Sequence, residues 1–435
     1  MVMLAPNVTS AESSDTETLT GSIETFDIKN HEISSSSQTK ETTNHHYHPP
    51  PHRHFAPLST PLNRRLQTLV VFWHSISIPV FASFSLFAIT FFPFTWVLLV
   101  PYLIYFFSNK VFENGGVVNR MSSNFRNLSI WGYFDGYFPI VLHKTVDLKP
   151  SFKEINITDE FYIDISLSLA WESFLSAIPI ISRYIKDHRL SVFPRPPYKK
   201  LIPDGPAYIF GYHPHGVVAM GAMGAIGTNG ANWSSIFANI PVCLLTLGTQ
   251  FIIPFYRDYL LALGISSVSK KNIQSILAQH TSVSIVIGGA REALMSKPGT
   301  CKLILKNRKG FVKLALRTPN VCLVPVFAFG ETEIYEVAQP SSTSWLHKAQ
   351  LVLKSAVGFT VPFFHARGIF NYDFGLLPYR RRIDVVVGKP IEVPYDPEPS
   401  EEVVNKWHDI YVEELLKLVE TNRERFNYTT KVELL

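Results

Sequence analysis

The sequence predicts an α/β domain with a largely parallel or mixed central sheet and flanking helices, preceded by a transmembrane helical hairpin. Two observations carry this prediction. Short apolar runs alternate with helical patterns from about residue 208 onward, and residues 66–107 contain no Asp, Glu, Lys or Arg. A third observation concerns residues 1–65, which are rich in Ser, Thr, Asn, His and Pro and therefore predict a disordered cytosolic tail.

The tail has almost no apolar clustering before Leu58. It cannot bury enough surface to offset the loss of chain entropy on folding. Its histidine-rich tract, residues 45–54, is interpreted as solvated side chains, although such a tract can also bind a metal ion incidentally. The basic start and apolar core of a cleavable signal peptide are not recognised in it.

The uncharged run at residues 66–107 is about twice as long as the ~20 residues that one bilayer crossing needs. Basic residues flank it on both sides, which favours a cytosolic location for both ends. These residues are Arg64, Arg65, Lys110, Arg120 and Arg126. We therefore expect a transmembrane or re-entrant hairpin; the alternative is a very apolar pair of buried helices.

Residues 108–435 are expected to form one membrane-associated domain. An aromatic, glycine-rich block at residues 131–139 suits a membrane-facing surface or a substrate wall, and apolar stretches at 163–185 and 345–364 suit interfacial or packed segments. The predicted strands are 207–212, 242–247, 283–287, 321–327 and 383–387, and the predicted helices are 251–263, 270–280, 309–317 and 402–420.

Composition narrows the class of partner. The chain is 46% hydrophobic and only 17% charged, and its formal net charge of +5 favours anionic lipids or phosphorylated cofactors. This excess of positive charge is too small to indicate that the chain binds nucleic acid. The three cysteines, Cys243, Cys301 and Cys322, are far apart in sequence, which fits free thiols in a reducing compartment.

The first candidate functional block is His213-Pro214-His215-Gly216, at the end of the predicted strand 207–212. Imidazole titrates near neutral pH, so a histidine at a strand end is a candidate general base for a hydroxyl group. The alternatives are solvated loop histidines or two ligands of a metal site.

Three further blocks also follow strands or turns. Gly288 and Gly289 permit close backbone approach and precede Glu292, which is a candidate partner for an imidazolium. Arg308 and Lys309 belong to a basic strip at residues 302–317 that suits the phosphates of a nucleotide cofactor or a surface of anionic lipid. Arg367 opens the last block and is a candidate for binding a charged group or for pairing with a carboxylate.

Together these blocks closely resemble the type-2 diacylglycerol acyltransferase family, which includes monoacylglycerol and wax-ester acyltransferases. The matching residues are Tyr137-Phe138-Pro139, His213-Pro214-His215-Gly216, Gly288-Gly289 with Glu292, the block 308–331, and Arg367-Gly368 with Gly375 and Pro378. The resemblance runs from the hairpin to residue 435. It implies a glycerolipid-acyltransferase-like sheet and an enzyme of the endoplasmic reticulum membrane and lipid droplet, with its catalytic domain facing the cytosol.

The resemblance also implies acyl transfer from acyl-CoA, as co-substrate and without a cofactor or metal, to diacylglycerol. The HxxxxD pattern of more distant acyltransferases fails here, because Val218 and Met220 stand five residues after His213 and His215. We therefore hypothesise that Glu292 supplies the carboxylate. Among the candidate catalytic residues His213, His215 and Glu292, His215 is preferred as the base in a direct transfer. His213 is expected to support the turn or to position the substrate, and backbone N–H groups near Gly216 to stabilise the oxyanion.

Substrate contacts are predicted for the remaining matched residues: Tyr137, Phe138, Pro139, Pro214, Gly216, Gly288, Gly289, Arg308, Lys309 and Arg367. Other acceptors remain open, namely monoacylglycerol, a fatty alcohol or a sterol. So does a different class, a lipid-binding or droplet-coating protein without catalysis. Membrane lipids are expected partners, nucleic acid is not, and the sequence leaves open whether the chain forms a homo-oligomer.

Overall fold

The computed structural model of the chain describes residues 55–57, 59–91, 93–157, 198–338 and 363–435. Three predictions lie wholly or mostly outside these residues: the disordered tail, the apolar stretch at 163–185 and the apolar stretch at 345–364. The strands in the described residues are β1 Ile140–Lys144, β2 Phe152–Ile157, β3 Tyr198–Pro203, β4 Ala207–His213, β5 Val242–Thr246, β6 Ile265–Ser267, β7 Ser282–Val286, β8 Cys301–Leu303, β9 Val321–Phe329, β10 Glu336–Ala338, β11 Phe363–His365, β12 Ile383–Val387, β13 Ile391–Glu392 and β14 Val432–Leu434.

The main sheet has eight strands, with the order β1-β12-β9-β4-β7-β5-β6 and with β13 paired to β9. Strands β9, β4, β7, β5 and β6 run parallel, whereas β12 is antiparallel to β9. The predicted mixed α/β sheet is therefore confirmed. Because β4, β7 and β9 point the same way, the residues that follow them meet at one edge of the sheet.

Strands β4 and β9 lie at the centre of the sheet and are buried at every position. Their sequences are continuous apolar runs because helices and loops cover both faces of the sheet. All five predicted strands are present, with bounds that differ from the prediction by at most two residues.

The α-helices are α1 Leu62–Phe91, α2 Trp96–Ser108, α3 Ser123–Arg126, α4 Ser129–Tyr137, α5 Met220–Ala222, α6 Trp233–Ile236, α7 Tyr256–Ala262, α8 Lys270–Leu277, α9 Ala290–Ala293, α10 Gly310–Leu316 and α11 Glu401–Arg423. The predicted helices at 270–280, 309–317 and 402–420 correspond to α8, α10 and α11. The helical pattern predicted at 251–263 is confirmed at α7, but it is not one continuous helix. A 3₁₀ helix, Gly248–Ile252, precedes α7, and Pro254 between them disfavours helical backbone at the residue before it.

Helix α1 has 30 residues and is the one helix in the described part of the chain that is long and apolar enough to cross a membrane. It begins at Leu62, four residues before the uncharged run. Helix α2 has 13 residues and is short of the ~20 that a crossing needs. One apolar helix of the predicted hairpin is therefore present, and the complete hairpin stays a prediction.

Helix α1 packs along the α/β domain. Near its start, Gln67 accepts a hydrogen bond from Arg380 at 2.7 Å; further along, His74 meets the ring of Phe134 edge-on at 5.3 Å. Near its end, the Ser85 hydroxyl donates to a main-chain oxygen of the loop before α7 at 3.2 Å. The inner face of α1 thus belongs to the domain, while its outer face is a continuous apolar surface.

Candidate active site

Residues 213–216 begin the connection from β4 to α5 at the carboxyl edge of the sheet, and we refer to them as the turn. His213 is the last residue of β4, and His215 lies in the turn itself. The ends of β7 and β9 bring Glu292 and Glu331 to the same turn. Two predicted residues, His215 and Glu292, are therefore brought together although 77 positions separate them.

His213 is sealed inside the domain, with no exposed surface. Its Nε2 lies 3.1 Å from the hydroxyl of Tyr411, and that hydroxyl donates its only proton to the carbonyl oxygen of Gly211 at 3.2 Å. The hydroxyl must therefore accept a hydrogen bond from Nε2–H, which leaves Nδ1 unprotonated and, within the described residues, without a partner. Burial lowers the pKa of His213 to about 3, so this imidazole is neutral near pH 7.

His215 is only partly buried, and its ring has the opposite tautomer. Its Nδ1 lies 3.1 Å from the carbonyl oxygen of Gly216, which accepts hydrogen bonds and cannot donate one. Nδ1 therefore carries the proton, and Nε2 has the free lone pair. Burial also lowers the pKa of His215, which keeps the ring neutral and ready to accept a proton at Nε2.

Glu292 contacts the main chain of His215. It is 2% exposed, and its Oε1 accepts a hydrogen bond from the main-chain N–H of His215 at 2.6 Å. Its Oε2 accepts from the N–H of Ile304 at 2.8 Å. Burial raises the pKa of Glu292 to about 7, although both N–H groups oppose this shift. The hypothesis placed the carboxylate against the imidazole, whereas this geometry makes Glu292 a support of the turn.

Gly288 explains how Glu292 reaches the turn. Its φ is +117°, and a Cβ at this position would lie 2.2 Å from Glu292 Oε2. The glycine therefore provides the space that the buried carboxylate occupies. Gly289 follows with φ +74°.

Glu331 is a second buried carboxyl group at the turn, and the sequence reasoning gave it no role. It is 1% exposed, and its Oε2 accepts from the Tyr212 hydroxyl at 2.7 Å and from the N–H of Gly221 at 2.9 Å. Its Oε1 has no partner among the described residues, and burial raises the pKa of Glu331 to about 7. The available signal was its position, since Glu331 follows β9 as Glu292 follows β7.

The basic strip begins beside the site. Arg308 is exposed and its Nη2 donates to the carbonyl oxygen of Gly288 at 3.2 Å. Lys309 donates to Asn405 Oδ1 at 2.7 Å and lines a cavity of about 320 Å³, together with Lys306 and the buried ring of His408. The strip therefore extends from the glycine turn after β7 to this cavity.

Tyr137, Phe138 and Arg367 form a separate cluster. Tyr137 and Phe138 are completely buried, and the Tyr137 hydroxyl donates to the carbonyl oxygen of Pro378 at 2.6 Å. Arg367 is 8% exposed, and its guanidinium lies over the ring of Tyr372 at 4.3 Å. The structure thus brings the first and last sequence blocks together as packed core, and their contact with substrate, like that of Pro139 and Pro214, stays a prediction.

The alternative interpretation of the two histidines was a metal site. No group of three His, Cys, Asp or Glu side chains in the described residues is placed to hold a metal ion. Tyr411 lies within the predicted helix 402–420 and was given no role in the site. The sequence carried no signal for its hydrogen bond to His213, which joins residues 198 positions apart.

The chain matches the family model described as "Diacylglycerol acyltransferase" over residues 88–156 and 182–435. It is 50% identical over 374 residues to "Diacylglycerol O-acyltransferase 1" of Saccharomyces cerevisiae, which covers 85% of this chain and 86% of that protein. It is 38% identical over 367 residues to "Diacylglycerol O-acyltransferase 2A" of Umbelopsis ramanniana, and this alignment covers 82% of this chain and 86% of that protein.

A third relative is "2-acylglycerol O-acyltransferase 1" of Bos taurus, which is 38% identical over 378 residues; this alignment covers 86% of this chain and 96% of that protein. No solved structure matches the chain. The family model covers well over half of the chain, and these relatives are aligned over more than two thirds of it. The chain therefore belongs to the diacylglycerol acyltransferase family.

Proposed function

We propose that the chain is an acyl-CoA-dependent diacylglycerol O-acyltransferase that forms triacylglycerol. Two relatives at 50% and 38% identity carry that activity in their names. The observation that carries the chemical part of the proposal is the hydrogen bond between His215 Nδ1 and the carbonyl oxygen of Gly216. It leaves Nε2 as a neutral, basic nitrogen at the carboxyl edge of the sheet.

In this mechanism, His215 Nε2 removes the proton from the free hydroxyl of diacylglycerol as the hydroxyl oxygen attacks the thioester carbonyl. The C–S bond breaks in the collapse of the tetrahedral intermediate. The thiolate of CoA then takes the proton back from His215, so the ring ends neutral. Acyl transfer is direct, and no acyl group is attached to the protein.

The turn also contributes a hydrogen-bond donor for the oxyanion, and Glu292 fixes the position of its main chain. The N–H of His215 is occupied by Glu292, so the N–H of Gly216 is the group of this turn that we assign to the developing oxyanion. Glu292 is a positioning residue, because it holds the main chain of His215 and touches no reacting atom. This assignment replaces the imidazole–carboxylate pair as the role of Glu292.

The phosphates of acyl-CoA are assigned to the basic strip. Arg308 lies against the glycine turn that adjoins Glu292, and Lys306 and Lys309 line the neighbouring cavity. Guanidinium and ammonium groups are the usual protein partners of phosphate. The thioester at His215 and the nucleotide portion at the strip thus fall on neighbouring parts of one edge of the domain.

We further propose that α1 and α2 form a transmembrane or re-entrant hairpin in the endoplasmic reticulum membrane, that the enzyme also resides on lipid droplets, and that the catalytic domain faces the cytosol. Basic residues at both ends of the apolar segment support this orientation. The sequon Asn127-Leu128-Ser129 then stays unglycosylated. A glycan on Asn127, detected by a glycosidase-sensitive mass shift, would overturn the orientation.

The test of function is acyl transfer by membranes that contain the chain. Labelled acyl-CoA is supplied separately with diacylglycerol, monoacylglycerol and a fatty alcohol, and membranes with His215→Ala serve as the blank. Triacylglycerol that depends on His215 is the expected product. Monoacylglycerol is the second candidate acceptor, because one relative is named a 2-acylglycerol acyltransferase. If none of the three acceptors gives a product with the unsubstituted chain, the acyltransferase assignment fails and a lipid-binding role is favoured. Product that forms equally well with His215→Ala refutes the assignment of the base and leaves the acyltransferase assignment standing.

A further inference from the structure

The loop at residues 367–377, which we call the aromatic loop, directs large apolar side chains outward. Phe370, Phe374 and Leu376 are 74%, 71% and 68% exposed. Phe55, which is 64% exposed, extends the patch, because it forms a β-bridge with Asn371. A cluster of exposed side chains of this size marks a surface that contacts an apolar partner.

The aromatic loop has a defined conformation. Two hydrogen bonds between the main chains of Arg367 and Leu377, both 2.8 Å long, close its base. Inside the loop, the Arg367 guanidinium covers the Tyr372 ring, and Asn371 Oδ1 accepts from the N–H of Asp373 at 2.8 Å. The exposure of its apolar residues is therefore a property of a closed loop and not of a frayed segment.

The loop adjoins the first turns of α1. Arg380 follows it by three residues and donates to Gln67 Oε1, to the Thr68 hydroxyl and to the carbonyl oxygen of Arg64, at 2.7, 2.9 and 2.9 Å. These acceptors lie in the first turns of the helix that is long and apolar enough to cross a membrane. The aromatic loop thus lies beside the start of the segment of the chain that is suited to lipid.

The charges around the patch match a phospholipid surface. Arg64, Arg65 and Arg381 are exposed near it, on α1 and on the segment that follows the loop. Arg382 is also exposed, but its guanidinium pairs with Asp384 at 2.7 Å. Basic side chains bind anionic headgroups, and aromatic side chains favour the boundary between headgroups and acyl chains. A partner protein with an apolar groove would not require this basic border.

We propose that the aromatic loop is a second membrane-contact site, which inserts Phe370, Phe374 and Leu376 into the headgroup–acyl boundary of the bilayer that α1 enters. This inference does not depend on the acyl-transfer chemistry. It implies that the catalytic domain is held against the lipid surface at a defined orientation, by α1 and by the loop beside its first turns.

The test uses the full chain with Phe374→Cys, labelled with an environment-sensitive fluorophore and reconstituted into phospholipid vesicles that contain anionic lipid. The three native cysteines are buried, and the unsubstituted chain measures their background labelling. The matched control is Glu402→Cys, at an exposed position of α11. Nitroxide groups on the lipid acyl chains, placed near the headgroup or deep in the bilayer, report contact and depth.

The expected result is a blue-shifted emission at position 374 and quenching that is strongest for the shallow nitroxide, with neither effect at position 402. Emission at position 374 that matches position 402 overturns the proposal. Blue-shifted emission without quenching also overturns it, because it places the loop against protein, such as a second copy of the chain.

Discussion

His213 and His215 are two residues apart in one turn, yet their surroundings are opposite. His213 is sealed in the core, with its Nε2–H directed to Tyr411 and its pKa lowered to about 3. His215 lies at the edge of the sheet, with its Nδ1–H directed to Gly216 and Nε2 free to accept a proton. The same side chain is thus a structural group at one position and a candidate base at the other, because each carbonyl or hydroxyl partner selects a tautomer.

The largest expected effect is that of His215→Ala. General-base catalysis contributes about 10²- to 10⁴-fold, so we expect turnover to fall by that factor while the protein remains folded and membrane-bound. The measurement is acyl transfer per amount of enzyme in membranes. The matched control is His280→Asn, because His280 has φ +55°, which asparagine tolerates, and it takes no part in the turn. Near-native turnover of His215→Ala would falsify the assignment of the base.

The second prediction concerns Glu292→Gln. Glutamine offers one acceptor oxygen, so one of the two main-chain N–H groups that Glu292 binds is left facing an NH₂ donor. An unpaired buried donor costs about 1–3 kcal/mol, which corresponds to roughly 5- to 150-fold in kcat/KM if the turn must keep its geometry.

The pH profile of kcat/KM separates the two roles of Glu292. If Glu292 holds only the main chain, the apparent pKa of the base stays unchanged in Glu292→Gln while the rate falls. A decrease in that pKa would instead restore the original hypothesis of a carboxylate paired with the imidazole. The control is Arg291→Gln, at the neighbouring exposed residue.

The third prediction concerns Gly216→Ala. Gly216 has φ +59°, and a Cβ there would lie 2.8 Å from Glu331 Cγ. The left-handed conformation costs an alanine about 1–2 kcal/mol, and the contact with Glu331 adds to this. Gly299→Ala is the matched control, because Gly299 has φ +73° and no atom within 4 Å of its Cβ position.

We expect Gly216→Ala to lower both turnover and thermal stability more than Gly299→Ala does. The difference in thermal stability between the two variants measures the steric contact with Glu331, whereas the difference in turnover also includes any displacement of the Gly216 N–H. Equal losses would show that Glu331 does not press on the turn.

Much of this fold was predictable because its central strands are buried on both faces. Such strands are continuous apolar runs, and the runs at 207–212 and 321–327 were recognised on that basis. The same pattern placed the sequence blocks at the ends of strands, and the parallel pairing of β4 with β7 and β9 brings these ends to one edge of the sheet. The break before α7 was missed, because helical periodicity around Pro254 was given more weight than the proline itself.

The details of the site were less predictable. Sequence reasoning identified Glu292 as a partner of His215. It could not determine whether the carboxylate contacts the ring or the main chain of His215, because this depends on the rotamer of the buried Glu292 side chain. Glu331 and Tyr411 were not assigned to the site, because their contacts join strand ends and a helix that are distant in sequence. The types of residue and their positions after the strands therefore identify the edge of the sheet that forms the site. The hydrogen-bond partners within the site can be assigned only from the three-dimensional structure.

The fourth prediction concerns the pH dependence of stability and the variant Glu331→Gln. Burial raises the pKa of Glu331 to about 7 from an ordinary value of 4.5. The folded state therefore holds this proton more tightly than the unfolded state does. The resulting stabilisation is complete below about pH 4.5 and is lost as the pH rises through about 7.

Glu331→Gln removes this titration, so its apparent melting temperature in detergent should decrease less between pH 5 and pH 7.5 than that of the unsubstituted protein. Glu333→Gln is the control, because Glu333 lies two residues further along the same 3₁₀ turn. Identical pH dependence in the two variants would show that Glu331 keeps its charge when buried.

The smallest effect on turnover is expected for Tyr411→Phe, which tests whether His213 has a structural role and not a catalytic one. The substitution removes the hydroxyl that binds His213 Nε2 and the Gly211 carbonyl oxygen, and it leaves the neutral ring of His213 in place. Loss of a partner for buried polar groups costs about 1–3 kcal/mol of stability. We therefore expect a lower apparent melting temperature with turnover close to that of the unsubstituted protein, whereas Tyr395→Phe, at a 58% exposed tyrosine, should change neither. If Tyr411→Phe abolished turnover as completely as His215→Ala, His213 would have to be part of the proton transfer, and the division between a structural and a catalytic histidine would be wrong.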